Sequence, residues 1–254
     1  MKILICGYGF VGKAHALALS CGGYNEVHIY DPAYDIYKER LANPDAVVIC
    51  VSTPQRENGK CDINNVYDCI ANVEDDDVPI LIKSTISLEG WRFLLKEFPN
   101  KKITFSPEFL RAAFAYEDFK KQEVVYLGGG DNIFWASLFS LMLGVKVECA
   151  DPEVLILTKY MRNSFLALKV AFFNQVYDLC EAADVDFNRV RELTASDPRI
   201  GDSHSYMNLE RGFGGHCFPK DTNAIVKTAA EYGYNFSILE EAIYYNEGIR
   251  NESI

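Results

Sequence analysis

Hydrophobic residues in the first 150 positions form seven short runs, and helix-like segments separate each run from the next. Several of the runs, such as ILIC, AVVICV and VVYLGG, are continuously apolar and do not alternate between apolar and polar positions. Continuous runs of this kind are typical of strands in a parallel sheet that helices cover on both faces. The pattern predicts an α/β fold, a Rossmann-type doubly wound parallel sheet with strands in KILICGYG, EVHIYD, AVVICVS, PILIKST, KITFSP, VVYLGG and VKVECA.

The pattern changes at Asp151, where this residue and Pro152 suit the N-cap and first turn of a helix. No glycine or proline follows before about Ala183, so we predict one continuous helix of roughly 30 residues. A polar loop and two further helical segments come after it. We therefore expect two domains, residues 1–150 with the sheet and residues 151–254 with the long helix and a small all-helical domain. Because so long a helix is unusual in a globular protein, we expect it to connect the domains and to pack against a second copy.

Composition and charge exclude several classes of partner. Hydrophobic residues make up 49% of the chain, and no stretch approaches the roughly 18 apolar residues of a membrane span. The net charge of −11 argues against nucleic acid, whose phosphates need a basic surface. The first residues enter a strand directly, without the pattern of a signal peptide. The eight cysteines are scattered without a CxxC pair, so we expect no metal site, no disulfides and a cytoplasmic location.

A glycine-rich turn joins the first predicted strand to the first predicted helix. It consists of Gly7, Tyr8, Gly9, Phe10, Val11 and Gly12, which is the G-x-G-x-x-G pattern of dinucleotide-binding proteins. In this pattern the first glycine permits the turn, the second lets backbone N–H groups approach a pyrophosphate, and the third lets helix and strand pack closely. Asp31 ends the second predicted strand, where a carboxylate can bind both ribose hydroxyls and would repel a 2′-phosphate. The pattern predicts NAD as the cofactor, while a turn before Pro32 is the alternative role of Asp31.

Short hydroxyl residues follow two other predicted strands. Ser52, Thr53 and Pro54 come after AVVICV, and Ser84 and Thr85 come after ILIK. Ligands bind at the carboxyl ends of parallel strands in this fold, so we expect these residues to border the cofactor or the substrate. For Ser52 and Ser84, capping of a helix is an equal alternative.

The segment 212–221, GFGGHCFPKD, combines a glycine-rich loop, a cysteine and a proline that suits a first helical turn. A helix N-terminus lowers the pKa of a thiol and favours the nucleophilic thiolate, so Cys217 is a candidate nucleophile. Asp221 lies four residues later, on the same helix face, and could position or activate water. The alternative for Cys217 is a small buried apolar side chain, which we expect for the other seven cysteines.

Lys159 and Asn163 are four residues apart in the predicted long helix and therefore share a face. An ammonium and an amide can together stabilise a developing oxyanion. A solvated surface charge is the alternative for the lysine.

Taken in order, these segments resemble those of UDP-glucose and related nucleotide-sugar dehydrogenases. The shared features are the glycine turn, the VSTP and KST loops, SPEFLR, the KxxxN pair, DPRIG and GFGGxCFPKD, and they span essentially all 254 residues. GFGGxCFPKD is the most specific of them. The resemblance implies a two-step, four-electron oxidation of the primary alcohol of a nucleotide sugar, UDP-glucose to UDP-glucuronate, with NAD as the oxidant in both steps.

The resemblance also implies roles for individual residues. The implied catalytic residues are Cys217, Lys159, Asn163, Asp221, Glu108 and Thr85. The implied cofactor-binding residues are Gly7, Gly9, Phe10, Val11, Gly12, Asp31, Ser52, Thr53, Pro54, Ser84 and Thr85. The implied substrate-binding residues are Glu108, Phe109, Leu110, Lys159, Asn163, Arg199, Gly214 and Lys220. Arg199 would reach the nucleotide of a neighbouring subunit, which implies a homodimer.

Three features depart from the family pattern. Ala112 stands where the family usually has a second glutamate, and His216 stands where it typically has a small serine. Family members also continue into a third, Rossmann-like domain, whereas this sequence stops at Ile254, so we expect much of the uridine diphosphate site to be missing. A smaller or differently held substrate, a partner that completes the site, and a fragment of a longer chain are all open explanations.

Other functions are open at this stage. A relative that acts on GDP-mannose or an N-acetylhexosamine nucleotide would use the same chemistry. Two-electron hydroxyacid dehydrogenases lack a catalytic cysteine and release one NADH per turnover. A non-catalytic NAD-binding or dimerisation module is the alternative from a different class.

Overall fold

The computed structural model describes residues 1–56, 59–215 and 217–251. These residues form two compact units. The first unit is Met1–Arg56 with Cys61–Lys159. The second unit is, within the described ranges, residues 59–60 and 160–251.

The first unit is built on one sheet. Its strands are β1 (Lys2–Cys6), β2 (Glu26–Tyr30), β3 (Ala46–Ile49), β4 (Ile80–Ile82), β5 (Ile103–Phe105), β6 (Val124–Gly129) and β7 (Lys146–Cys149). Each of the predicted hydrophobic runs contains one of them, so the predicted α/β sheet is confirmed. The strand order is β2-β1-β3-β4-β5-β6-β7, and the pairs from β2 to β5 are parallel. This order places a switch point between β1 and β3, where open α/β sheets bind ligands.

Helices separate the strands of the first unit. They are α1 (Phe10–Ser20), α2 (Asn64–Ala71), α3 (Leu88–Glu97), α4 (Ala115–Lys121) and α5 (Asn132–Leu143). One core cluster joins Ile3 and Ile5 of β1 to Leu19 of α1, Phe119 of α4 and Trp135 of α5. Burial of these side chains stabilises the sheet beneath the glycine-rich turn, because each fully buried large apolar side chain contributes about 1.5–3 kcal/mol.

The last two strands run opposite to the first five, which corrects the prediction of a fully parallel sheet. Strand β6 pairs antiparallel with β5 and in parallel with β7. Three consecutive glycines allow the end of β6 to lie close to its neighbours. A Cβ on Gly128 would lie 2.6 Å from the carbonyl oxygen of Ala150, and a Cβ on Gly130 would lie 2.5 Å from the carbonyl carbon of Ile103. Gly129 and Gly130 also have positive φ angles, 81° and 42°.

Helix α6 (Pro152–Ala183) has 32 residues and confirms the predicted long helix. The Asp151 carboxylate accepts a hydrogen bond from the Glu153 N–H at 2.8 Å, as expected of an N-cap residue. Because the first unit ends at Lys159, the division between the units falls within α6, beyond its first two turns. The separate roles expected for residues 1–150 and 151–254 stay predictions.

Three helices follow α6 in the described residues, although we predicted two. They are α7 (Phe187–Ala195), α8 (Phe218–Glu231) and α9 (Ser237–Asn251). Helix α7 occupies part of the predicted polar loop. Asp186 caps it, since the carboxylate accepts a hydrogen bond from the Asn188 N–H at 2.9 Å. Within the described ranges, none of the helices combines the length and the apolar character that a membrane span requires.

Replacement of Gly130 by alanine is expected to lower the free energy of unfolding by about 3 kcal/mol, because the new Cβ meets both a strained φ and steric overlap with β5. Gly144→Ala is the matched control. Gly144 has a similar positive φ of 65°, but no atom lies within 4 Å of its Cβ position. We expect a loss of only about 1 kcal/mol there. Chemical denaturation measures both values, and equal losses would contradict the proposed close approach of β6 and β5.

Candidate active site

The glycine-rich turn lies between β1 and α1, at the switch point of the sheet. Gly7 has a φ of 92°, and its N–H donates to the Tyr30 carbonyl at 2.8 Å. A Cβ on Gly7 would lie 2.7 Å from backbone atoms of Cys50 and Val51, which follow β3. The first glycine therefore permits both the turn and the contact with the neighbouring strand.

Gly9 and Gly12 meet the other two requirements of the pattern. Gly9 is the N-cap of α1, and no atom lies within 4 Å of its Cβ position, so space for a ligand is left beside the backbone. A Cβ on Gly12 would lie 1.9 Å from the Gly7 carbonyl oxygen, so only glycine allows this helix to pack so closely on the turn. The first turn of α1 has neither an acidic residue nor a side-chain cap, which leaves its N–H groups available to an anion. These features fit the pyrophosphate of NAD. Phe10 and Val11 form the first turn.

Asp31 lies directly after β2 and is tied to the glycine-rich turn. One carboxylate oxygen accepts a hydrogen bond from the Tyr8 N–H at 2.7 Å, and the other accepts one from the Ala33 N–H at 2.9 Å. A carboxylate has lone pairs beyond these two bonds. Asp31 can therefore hold the turn and still accept hydrogen bonds from a ribose.

The hydroxyl residues at the ends of β3 and β4 have different surroundings. The Ser84 hydroxyl donates to the Val51 carbonyl at 2.7 Å and so ties the two strand ends together. Thr53 is buried, whereas Ser52 is exposed and Thr85 is partly exposed. The structure thus brings the five predicted residues 52–54, 84 and 85 to the carboxyl edge of the parallel strands, beside the glycine-rich turn.

A buried ion pair joins α6 to the segment after β5 within the first unit. The Lys159 ammonium donates to the Glu108 carboxylate at 2.7 Å and to the Glu108 carbonyl at 2.6 Å. Lys159 is 4% exposed and Glu108 is 8% exposed. The other carboxylate oxygen accepts a hydrogen bond from the Leu110 N–H at 2.7 Å. This burial excludes the interpretation of Lys159 as a solvated surface charge.

The neighbours of Glu108 complete this part of the first unit. The Lys159 ammonium lies 5.5 Å from the centre of the Phe109 ring, close enough for a cation–π interaction. Leu110 packs against the core cluster that contains Ile3 and Ile5. Ala112, which replaces the usual second glutamate, is exposed at the start of a short 3₁₀ turn. The departure therefore leaves the buried ion pair intact.

Cys217 occupies the N-cap position of α8 in the second unit. Pro219 follows within the first turn, as the sequence pattern predicts. Cys217 is half-buried and forms no disulfide. A thiol at a helix N-terminus has a lowered pKa in general, because the N–H groups stabilise the thiolate. The position suits a nucleophile.

Asp221 lies one turn into α8 and is 1% exposed. Its N–H donates to the Cys217 carbonyl at 2.8 Å, which places both residues on the same helix face. The carboxylate accepts hydrogen bonds from the Asn163 amide and from the Lys220 ammonium, each at 2.6 Å. Three of the predicted residues of the second unit, Asn163, Lys220 and Asp221, are thus bound to one another.

Side chains of α6 and α9 hold the loop before Cys217. Asn246 binds the Phe213 backbone twice, since its Oδ1 accepts from the N–H at 2.6 Å and its Nδ2 donates to the carbonyl at 3.0 Å. Asn174 accepts a hydrogen bond from the Gly212 N–H at 3.0 Å. Buried amides of two helices therefore fix the backbone of Gly212 and Phe213.

Gly214, a predicted substrate-binding residue, packs against Arg250 of α9. A Cβ on Gly214 would lie 2.7 Å from the Arg250 Nη1. The same guanidinium donates to the Arg211 carbonyl at 3.0 Å. Close packing of this arginine on the loop requires the glycine.

One predicted position lies apart from these clusters. Arg199 forms an ion pair with Asp197 at 2.5 Å, and its side chain is 87% exposed. The structure does not bring it to the other predicted residues of the second unit among its described contacts. His216 lies outside the described residues.

Three residues that support these clusters are not among the predicted site residues. Lys83 at the end of β4 binds the segment before Glu108, and Asn246 and Arg250 hold the loop before Cys217. A lysine that ends an otherwise apolar strand is a signal of a buried charge and could have identified Lys83. No local pattern distinguishes Asn246 or Arg250, because both act on a loop far away in the sequence.

Known proteins show clear similarity to both units. Residues 32–140 match the NAD binding domain of the UDP-glucose/GDP-mannose dehydrogenase family, and residues 155–248 match the central domain of that family. The UDP-glucose 6-dehydrogenase of Rickettsia bellii is 32% identical over 97% of this chain and 67% of its own length. That of Rickettsia typhi is 34% identical over 84% of this chain and 51% of its own length. The chain thus spans about half to two thirds of the length of these curated relatives.

Solved structures agree with this assignment. A UDP-glucose dehydrogenase from Pyrobaculum islandicum has a TM-score of 0.82 and 27% identity, covering 97% of this chain and 68% of that protein. A UDP-D-ManNAc dehydrogenase from Pyrococcus horikoshii also has a TM-score of 0.82, at 20% identity, which supports the fold. The chain therefore belongs to the UDP-glucose/GDP-mannose dehydrogenase family, with segments that match both its NAD binding domain and its central domain.

Proposed function

We propose that the protein is an NAD-dependent dehydrogenase that oxidises the C6 primary alcohol of a nucleotide sugar, with UDP-glucose as the substrate and UDP-glucuronate as the product. The observation that carries the proposal is the position of Cys217 at the N-terminus of α8, on the same face as the buried Asp221. A two-electron dehydrogenase has no need of a nucleophile. The family membership supports the same chemistry.

The cofactor site of the proposal lies in the first unit. Gly7, Gly9 and Gly12 provide the turn and the open backbone, and Asp31 binds the ribose hydroxyls of NAD. The remaining predicted contacts are Phe10, Val11, Ser52, Thr53, Pro54, Ser84 and Thr85. Two NAD molecules would bind this site in succession, and each would accept one hydride, one in the first oxidation and one in the second.

In the first oxidation the alcohol loses a hydride and a proton and becomes an aldehyde. Lys159, or a water molecule held by Glu108 and Asp221, takes the hydroxyl proton. Because an ammonium has no lone pair, Lys159 takes the hydroxyl proton only after it has given a proton to the Glu108 carboxylate, to which it is bound in the structure. We assign Glu108 and Thr85 to the organisation of this water.

In the second oxidation the Cys217 sulfur forms a bond to the aldehyde carbon and gives a thiohemiacetal. Lys159 and Asn163 stabilise its oxyanion. The Asn163 amide has two N–H groups, and the hydrogen bond to Asp221 uses one of them. Loss of the second hydride gives a thioester, and water then breaks the carbon–sulfur bond, which releases the carboxylate and restores the thiol.

UDP-glucose is the first substrate to test, because the curated relatives that match at 32% and 34% identity are UDP-glucose 6-dehydrogenases. The proposed contacts to the nucleotide sugar are Glu108, Phe109, Leu110, Lys159, Asn163, Gly214 and Lys220, with Arg199 from a second subunit. The proposal includes a cytoplasmic location, which suits eight cysteines that form no disulfide with one another.

The proposal also includes a homodimer formed through α6. An exposed apolar stripe follows one face of this helix. Its most exposed members are Val154, Leu157, Met161, Phe165, Phe172 and Leu179, which recur every three, four or seven residues. A self-complementary stripe of this kind is typical of a two-fold helix pair, and a soluble monomer rarely exposes so many large apolar residues in one row.

Oxidation of UDP-glucose run to completion by the purified protein is expected to release two NADH per sugar, because each of the two steps transfers one hydride. The rate of NADH release by Cys217→Ser is expected to be at least about 100-fold lower, since a serine hydroxyl is a far weaker nucleophile. Cys149→Ser is the control, an exposed cysteine at the end of β7. Absorbance of NADH at the end point measures the ratio. One NADH per sugar, or full activity of Cys217→Ser, would refute the mechanism, and NAD binding without turnover of any nucleotide sugar would favour a non-catalytic module.

Introduction of a charge into the stripe is expected to dissociate the dimer. The double variant Phe165→Asp, Phe172→Asp places two carboxylates where two apolar surfaces would meet. The free-energy cost of burying these charges exceeds the gain from burying the remaining apolar surface. Glu181→Lys, a charge change on another face of α6, is the control and is expected to leave the dimer intact. Light scattering after size-exclusion chromatography measures the mass. A monomeric wild type at high concentration would be evidence against this part of the proposal.

A further inference from the structure

Lys83 is a buried lysine that forms no ion pair with any of the residues that the structure describes. It follows the three buried residues of β4 and is 5% exposed. Its ammonium donates to the Ser106 hydroxyl at 3.0 Å and to the Pro107 carbonyl at 3.2 Å. Neither acceptor carries a charge, so the cation is held by neutral oxygens alone in the described part of the chain.

The segment that Lys83 binds leads directly to Glu108. Residues 106–111 form neither helix nor strand, so regular backbone hydrogen bonds do not fix the direction of the Glu108 side chain. Lys83 holds the first two residues of the segment, and Lys159 holds Glu108 itself through its carbonyl and its carboxylate. Two buried ammonium groups thus bind consecutive residues of one short segment.

Burial makes this arrangement costly for stability. Burial lowers the pKa of Lys83 to about 8, and the Lys159 ammonium acts in the same direction, whereas Cys50 and Glu108 raise it. His15 also faces this region, and burial lowers its pKa to about 3, so its ring is neutral. A methionine of similar length would fill the space without the desolvation of a cation. Stability of the fold therefore gives no reason for a lysine here.

We propose that Lys83 is a positioning residue, which holds Ser106 and Pro107 so that the Glu108 carboxylate meets the Lys159 ammonium in the geometry that the reaction needs. The inference rests on the proposed function for its catalytic consequence, because Glu108 is there assigned to the reacting water. The position of Glu108 itself does not depend on that function. Lys83 acts through Glu108 and does not touch the substrate.

The test compares Lys83→Met with the wild type in three measurements. We expect the melting temperature to stay the same or to rise, because the variant removes a buried cation. We expect kcat with UDP-glucose to fall about 10- to 100-fold while KM for NAD and for the sugar stays within about twofold, since a displacement of about 1 Å impairs chemistry more than binding. A crystal structure of the variant is expected to show that the Glu108–Lys159 distance of 2.7 Å has lengthened beyond hydrogen-bond range.

Lys101→Met is the matched control. Lys101 is also largely buried, at 10% exposure of its side chain, and it also donates to backbone carbonyls, those of Val73 and Glu74. It forms an ion pair with Asp76, so its loss is expected to lower the melting temperature and to leave kcat unchanged. The two variants are thus expected to differ in opposite ways: Lys83→Met loses activity without losing stability, and Lys101→Met loses stability without losing activity.

Each outcome decides the proposal. A lowered melting temperature with unchanged kcat in Lys83→Met would make Lys83 a structural residue and overturn the inference. An unchanged Glu108–Lys159 pair in the crystal structure would also overturn it. If the wild type turns over no nucleotide sugar, the proposed function fails, but the crystal structure still decides whether Lys83 positions Glu108.

Discussion

The buried ion pair between Lys159 and Glu108 is the interaction on which the first unit's part of the site depends. Both side chains lie almost wholly out of solvent, and each oxygen of the carboxylate has a donor. Removal of one partner would leave an uncompensated buried charge, at a cost of about 3–5 kcal/mol. The pair joins the segment after β5 to the first turns of α6 within the first unit and holds the Glu108 carboxylate in place.

The second unit also contains a buried carboxylate, and different groups donate hydrogen bonds to it. Asp221 is buried, and an amide and an ammonium donate to its carboxylate. Paired amides of Asn246 bind the loop that leads to Cys217. In both units a group suited to catalysis is held by buried polar partners, so little reorganisation is needed when charge develops.

Local patterns predicted much of this structure, and long-range contacts account for what they missed. The hydrophobic runs predicted every strand of the described sheet, and Asp151 and Pro152 predicted the start of α6. Both predictions succeeded because each signal is contained in a few consecutive residues. The antiparallel pairing of β6 joins Gly128 and Gly129 to Phe105 and Thr104 of β5, a contact between distant segments that no local pattern encodes. The sequence motifs predicted Glu108 and Lys159 as site residues. They did not predict the ion pair between them, or the hydrogen bonds from Lys83 to Ser106 and Pro107, because these contacts form only in the folded chain.

The most direct test of this account is a double-mutant cycle on the ion pair, with kcat/KM for oxidation of UDP-glucose measured in the wild type, Glu108→Gln, Lys159→Met and the double variant. If the pair acts as one unit, each single variant is expected to lose about 100- to 1,000-fold, and the double variant is expected to lose no more than the worse single one. Losses that multiply in the double variant would show that the two residues act independently and would contradict the account.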